Sequence, residues 1–210
     1  MTYDAPEQTI EAEDSLRGLY PDVSPLAKKK ALPRLEEHCR NFIAHSPFLC
    51  LSTADADGKA DVSPRGDAPG FVQVLDDNTL LIPDRRGNNR LDSMANIIAN
   101  PNVGLIFLVP GVGETLRING KARIVRDEAL LAPLAVNGKA PTAGILVTVD
   151  EAFLHCAKAI IRSKLWSDDY KLERKQFPSL GRMIHDQIET GKTVEELDAG
   201  LETAYKTTLY

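Results

Sequence analysis

Two short stretches combine arginines with backbone that can approach a ligand closely. The first is Asp61-Val-Ser-Pro-Arg-Gly-Asp67, where Pro64 and Gly66 enforce a tight path around Arg65. The second is Asp84-Arg-Arg-Gly-Asn-Asn-Arg90, which runs directly into a segment with helical periodicity. A helix start offers unpaired N–H groups and about half a positive charge, and arginine matches a phosphate with a planar fork of donors. Four arginines, Arg65, Arg85, Arg86 and Arg90, fall within about 25 residues. A lone loop arginine in an acidic chain is ordinarily solvated. The grouping in two stretches that hairpins could bring side by side points instead to a phosphorylated ligand.

Other pairings carry less chemistry. His38-Cys39 and His155-Cys156 are sequence neighbours, whose side chains diverge on a helix or strand, so they read as packing rather than as nucleophile and base. Gly111-Val-Gly113 falls between two strands and lacks the third glycine and following helix of a dinucleotide fingerprint. Glu195-Glu196 lie on a capped, solvated helix. No set of general acid, base and nucleophile is visible, so the chemistry is expected to come from a bound cofactor. Cys39, Cys50 and Cys156 are odd in number, far apart and without metal spacing, and read as buried small hydrophobes with no metal site.

The elements that must position these residues are mostly strands. Ser24-Pro25 is a helix start, and Leu35, Cys39, Phe42 and Ile43 line one face of a helical stretch that Pro33 kinks or splits. The period changes at Phe48. Residues 48–53, the turn Asp55-Ala-Asp-Gly58 and Ala60-Asp-Val-Ser63 form one hairpin; 71–75, Asp76-Asp-Asn78 and 79–82 form a second, and sequential pairing of the two is expected. A helix follows, capped by Asn88 or Asn89, with Leu91, Met94, Ile97 and Ile98 as its apolar stripe and Asn100-Pro101 as its stop. Strands resume at Val103–Val109, apolar as if covered on both sides, then at Thr115–Val125 and Gly144–Val149, with a short helix over Asp127–Val136. From Pro178 the tail is helical, and Thr193-Val-Glu-Glu196 has the form of a capping box. Six or more antiparallel strands with flanking helices favour a barrel, because closure removes exposed edges.

At 43% apolar residues, the 210-residue chain supports one domain: a helical segment over 1–46, a barrel core over 47–168 and a helical segment over 169–210. A net charge of −5 argues against a nucleic-acid surface. The lack of a long apolar run and of a signal-like start leads us to expect a cytoplasmic protein away from membranes.

The order of motifs resembles the pyridoxamine 5′-phosphate oxidase-related family, in particular its FMN-dependent enzyme branch. The matching blocks are Ser63-Pro-Arg-Gly-Asp67; Arg86-Gly-Asn-Asn-Arg90 with Asp92–Ile97; Asn100–Phe107; Pro110-Gly111 with Glu114–Gly120; and Phe153–Lys158 with Arg162 and Leu165-Trp166. The resemblance implies an FMN-binding split β-barrel, antiparallel and Greek-key-like, working as a homodimer with FMN at the subunit interface. It implies that Arg65, Arg86, Asn88, Asn89 and Arg90 hold the phosphate and ribityl chain, that Pro64 and Gly66 let backbone approach the ring, and that Ser63 belongs to the same cofactor-binding set. Lys158, Arg162 and Trp166 match the segment that reaches the flavin from the partner. Glu114, with Thr115 and Arg117, is either part of the site or an ordinary solvated strand. The implied activity is hydride transfer through FMN to or from a small-molecule substrate. Non-catalytic binding of FMN, a deazaflavin or haem is the alternative, and only His155 lies near a motif as a haem ligand. The tail after Trp166 departs from the arginine-containing end of the true oxidase, so vitamin B6 oxidation is not implied.

Overall fold

A computed structural model describes residues 9–210. They fall into two compact units, one ending at Ala31 and the other running Leu32–Tyr210. The first contains two single-turn helices, α1 (Glu13–Arg17) and α2 (Pro25–Lys29), neither of which buries a residue. Ser24 precedes Pro25 at the start of α2, as expected, and Pro33 lies in the break before the next helix.

The second unit carries the sheet. Its helix α3 (Glu37–His45) is capped by Glu36, whose carboxylate accepts from the His38 and Cys39 amides, each at 2.9 Å. Cys39 and Ile43 point into the core, and burial, with the Glu36 carboxylate beside it, pushes the Cys39 thiol up to about 11. The three cysteines are not alike: Cys39 is buried, Cys50 half-buried and Cys156 exposed, which corrects the expectation for the last two.

Seven strands follow: β1 (Phe48–Ala54), β2 (Ala60–Gly66), β3 (Gln73–Val74), β4 (Thr79–Pro83), β5 (Asn102–Leu108), β6 (Thr115–Val125) and β7 (Gly144–His155). All pair antiparallel in one sheet of order β2-β1-β5-β6-β7-β4-β3. Both expected hairpins form, β1–β2 and β3–β4. They do not pair with each other. β5, β6 and β7 intervene, so hairpins adjacent in sequence occupy opposite edges of the sheet, and no hydrogen-bonded ladder closes it into a barrel.

The strand expected to be covered on both faces, β5, buries only Val103, Leu105 and Phe107, on one face. Double coverage falls instead on β4 and β7. Leu80, Ile82, Ile145 and Val147 enter the main core with Leu49, Leu51, Phe107, Leu116 and Ile118. Leu81 and Leu146 point the other way and pack with Leu131 and Leu134 of the short helix α5 (Glu128–Leu131) and the 3₁₀ turn after it. Burying such aliphatic side chains on both faces is worth about 2 kcal/mol per side chain before chain entropy is counted. The long β6–β7 hairpin shifts register between Asn119 and Gly120. A Cβ on Gly120 would lie 2.1 Å from the Thr148 carbonyl oxygen, so this bulge admits no side chain.

Helix α4 (Asp92–Ala99) packs against β1, β6 and β2. Its covered face is Ser93 and Ile97, with Asn96 Nδ2 donating to Thr53 Oγ1 at 3.1 Å. Leu91 and Ile98, expected in the apolar stripe, are 54% and 78% exposed. The chain then ends in α6 (Lys158–Ser163), a 3₁₀ turn, α7 (Leu180–Gln187) and α8 (Val194–Thr207). The capping box at Thr193 forms: its hydroxyl accepts from the Glu196 amide at 3.2 Å, and its own amide donates to Glu196 Oε2 at 2.8 Å. No helix among the described residues is long and apolar enough to cross a membrane.

Candidate functional site

The stretch Asp61–Asp67, read from the sequence as a loop, is mostly edge strand β2. An edge position tolerates Pro64 because only one side of the strand must carry a ladder. The register pairs Leu49 with Arg65, Leu51 with Ser63 and Thr53 with Asp61. Directly paired residues share a face, so the alternation that sends Leu49, Leu51 and Thr53 inward also turns Arg65, Ser63 and Asp61 inward. Val62, Pro64 and Gly66 face out and are exposed.

From the other edge of the sheet, β4 delivers residues 84–90 to the same place. Two ion pairs cross between the edges: Arg65 Nη1 to Asp84 Oδ1 at 3.2 Å, and Arg85 Nε to Asp67 Oδ2 at 2.5 Å. Each edge supplies one arginine and one aspartate. The ion-paired side chains are largely buried, 19% exposed for Arg65, 18% for Arg85 and 3% for Asp67. Removing one partner of such a pair strands a charge away from water. Burial alone would raise the Asp67 carboxyl, but the Tyr210 hydroxyl, the Ala68 amide and the Arg85 guanidinium hold it below the ordinary carboxylate value. The same bond to Asp67 raises the Tyr210 phenol.

Between these elements lies a groove of about 1020 Å³. Its walls are residues 61–66 of β2, the 83–90 stretch, the first turn of α4 from Leu91 to Met94, and Lys139–Thr142 with Tyr210. Ser63, Pro64, Arg65, Gly66, Arg86, Asn88, Asn89 and Arg90 therefore meet at one site. Arg65 Nε is buried there without a hydrogen-bond partner. A buried guanidinium N–H left unpaired costs free energy that an incoming acceptor would recover. Arg86 is exposed and makes no hydrogen bond or ion pair among the described residues, while Arg90 Nε is bonded to Asp92 Oδ2 at 2.8 Å.

Helix α4 opens differently from expectation. Neither Asn88 nor Asn89 caps it; the N-cap is Leu91, with no side-chain cap. Asn88 Oδ1 accepts from the Arg90 amide at 3.1 Å, an Asx turn within the loop, so it is spent one turn early. Asn89 and Leu91 both take left-handed backbone, with φ of 59° and 61°. Asparagine tolerates that region; leucine does so at a cost of about 1–2 kcal/mol. The first turn thus lines the groove with no side-chain cap on its amides.

Glu114, Lys158, Arg162 and Trp166 lie outside the groove. They gather where the β5–β6 turn meets α6: a Cβ on Gly113 would stand 2.9 Å from Ala157 Cβ, and Trp166 Nε1 donates to the Val112 carbonyl at 2.8 Å. All four are exposed.

Sequence reasoning missed the aspartates, Asp67 and Asp84, as partners of Arg85 and Arg65, although each stands beside an arginine motif. It also missed Lys139 and Tyr210. No spacing signal identifies those two, because their contacts span 71 and 143 residues.

No curated protein matches the sequence at a significant level. Among solved structures, HupZ of Group A Streptococcus is 19% identical over 57% of this chain and 92% of that chain, with a TM-score of 0.47. The FAD binding protein of Mycobacterium smegmatis is 21% identical over 60% and 99% of the two chains, with a TM-score of 0.40. HutZ, the heme storage protein of Vibrio cholerae, is 18% identical over 58% and 95%, with a TM-score of 0.38. Residues 35–156, more than half of this chain, match the model of the pyridoxamine 5′-phosphate oxidase family, and the chain belongs to that family.

Proposed function

We propose that the chain is an FMN-dependent oxidoreductase in which the groove between the two sheet edges takes the cofactor's phosphate and ribityl chain. The carrying observation is Arg65: its Nη1 is fixed by Asp84 while its buried Nε has no partner. A donor held in place and left open suits a phosphate oxygen, because little side-chain entropy remains to be lost on binding. Arg86 adds an unpaired cation, and the uncapped first turn of α4 adds amides and the helix dipole. Ser63, Asn88, Asn89 and Arg90 contribute polar contacts around it, and the backbone at Pro64 and Gly66 approaches the ring. FMN supplies the electron-transfer chemistry when bound. The protein's part is to bind, to orient the ring and to hold cationic and amide donors where negative charge collects.

In this reading the protein is a homodimer of split β-barrels, each barrel drawn together at its edges by the crossed ion pairs rather than by a ladder. The four exposed residues around α6, Glu114, Lys158, Arg162 and Trp166, then complete the groove of the partner subunit. Their distance from the groove in a single chain is what such sharing requires.

The test is an absorbance spectrum of the protein after mixing with excess FMN and gel filtration. The proposal expects retained flavin bands near about 370 and 450 nm at about one flavin per chain. It expects Arg86→Ala to lose flavin while unfolding at an unchanged urea concentration. No retained flavin in the wild-type protein would sink the assignment.

A further inference from the structure

The last residue contact along the chain reaches back to the first arginine motif. Asp67 stands one position beyond β2, and both carboxylate oxygens are engaged: Oδ2 with Arg85 Nε at 2.5 Å, and Oδ1 with the Ala68 amide at 2.7 Å and the Tyr210 hydroxyl at 2.8 Å. Arg85 is tied at its far end too, since Nη1 donates to the Leu134 carbonyl at 2.8 Å. Lys139 Nζ donates to the Tyr210 backbone oxygen at 3.3 Å. Tyr210 lines the groove yet lies well outside residues 35–156, and no motif of the family resemblance includes it.

The consequence is a chain of fixed charges. Arg85 is held back by Asp67 and Leu134, and its neighbour Arg86 has no ion-pair partner among the described residues. Stripped of its tyrosine donor, Asp67 Oδ1 would keep the Ala68 amide but carry a free lone pair beside the groove. It would draw a guanidinium away from the ligand or oppose an entering anion.

We propose that Tyr210 is a positioning residue for the anion site: its hydroxyl saturates Asp67, which locks Arg85 and thereby sets the 84–90 loop that presents Arg86. The loop-locking role stands on the contacts of Asp67, Arg85 and Tyr210; its bearing on FMN rests on the cofactor reading above. Tyr210→Phe removes the hydroxyl and keeps the ring.

Amide hydrogen exchange, followed by NMR on ligand-free wild-type and Tyr210→Phe protein, reads the lock directly. The reporters are the Asp84 amide, bonded to the Ala143 carbonyl at 3.0 Å, and the Arg90 amide, bonded to Asn88 Oδ1 at 3.1 Å. FMN titration and urea unfolding accompany it. Expected are several-fold faster exchange at these two amides, an unchanged urea midpoint, and about a tenfold weaker FMN affinity. Unchanged exchange at both amides overturns the proposal whatever happens to FMN. Faster exchange throughout the sheet with a lowered midpoint also overturns it, because the hydroxyl would then be only a structural tether. So does faster local exchange with wild-type FMN affinity. Faster local exchange in a protein whose wild type binds no FMN supports the lock and removes the flavin reading instead.

Discussion

The groove and the face around α6 are both rich in cations, but they hold them differently. At the groove, Arg65 and Arg85 each reach across from one sheet edge to an aspartate on the other, and both side chains are largely buried. At α6, Lys158 and Arg162 are exposed and make no hydrogen bond or ion pair among the described residues, and Trp166 is anchored through its indole N–H alone. The first region has its geometry determined by contacts within one chain. The second has side chains of the same chemical types without the contacts that would fix them. A binding site needs held donors, because flexible ones lose entropy as they bind. In the groove Arg65 and Arg85 meet that condition and exposed Arg86 does not; under the proposed reading the α6 face needs a second surface to become part of a site.

The largest effect expected from this contrast is on stability. Asp67→Asn leaves Arg85 without its counter-charge in a largely buried setting and should cost about 3 kcal/mol in urea unfolding, whereas Arg162→Ala on α6 should change it by less than about 0.5 kcal/mol. Equal effects would erase the distinction. The pH dependence follows the same residue. Asp67 is held below its ordinary value of 3.8, so it contributes stability above that value and loses the contribution as pH falls through the lowered one. The Asp67→Asn protein should accordingly show a shallower loss of stability below about pH 4 than the wild type.

Next in size is the effect on ligand. Arg65→Ala should weaken FMN binding by about thirtyfold, since a fixed donor and a charge are both lost. Trp166→Ala should weaken it by about tenfold and shift the sedimentation profile toward monomer, with little change in unfolding. A Trp166→Ala protein that keeps both flavin affinity and association state would confine the site to the groove.

What the sequence disclosed tracks the range of the interaction. The β1–β2 hairpin, with its Asp55–Gly58 turn, and the Thr193–Glu196 capping box are decided within a few residues, and both were legible. The split at Pro33 was too. The mates of each hairpin were not. Turn chemistry pairs β3 with β4, but nothing within residues 60–83 says that three later strands will separate the two hairpins. The arginine motifs could be picked out by type, but the crossing of Arg65 to Asp84 and Arg85 to Asp67 needs the curled sheet. At α4, Asn88 looked like a cap because it is asparagine beside a helix; its carbonyl is committed instead to the Arg90 amide. Tyr210 illustrates the limit most clearly, since its partner lies 143 residues away.

Leu91 has a consequence for how this protein could change. It is an exposed apolar residue in a left-handed conformation at the mouth of the groove, where glycine or asparagine would sit with less strain. Leu91→Gly should stabilise the chain by up to about 1 kcal/mol if strain relief outweighs the added freedom of the unfolded state. A sequence drifting under selection for stability alone would readily abandon leucine there. Stability is therefore the property that leucine at this position lowers, at the rim of the groove.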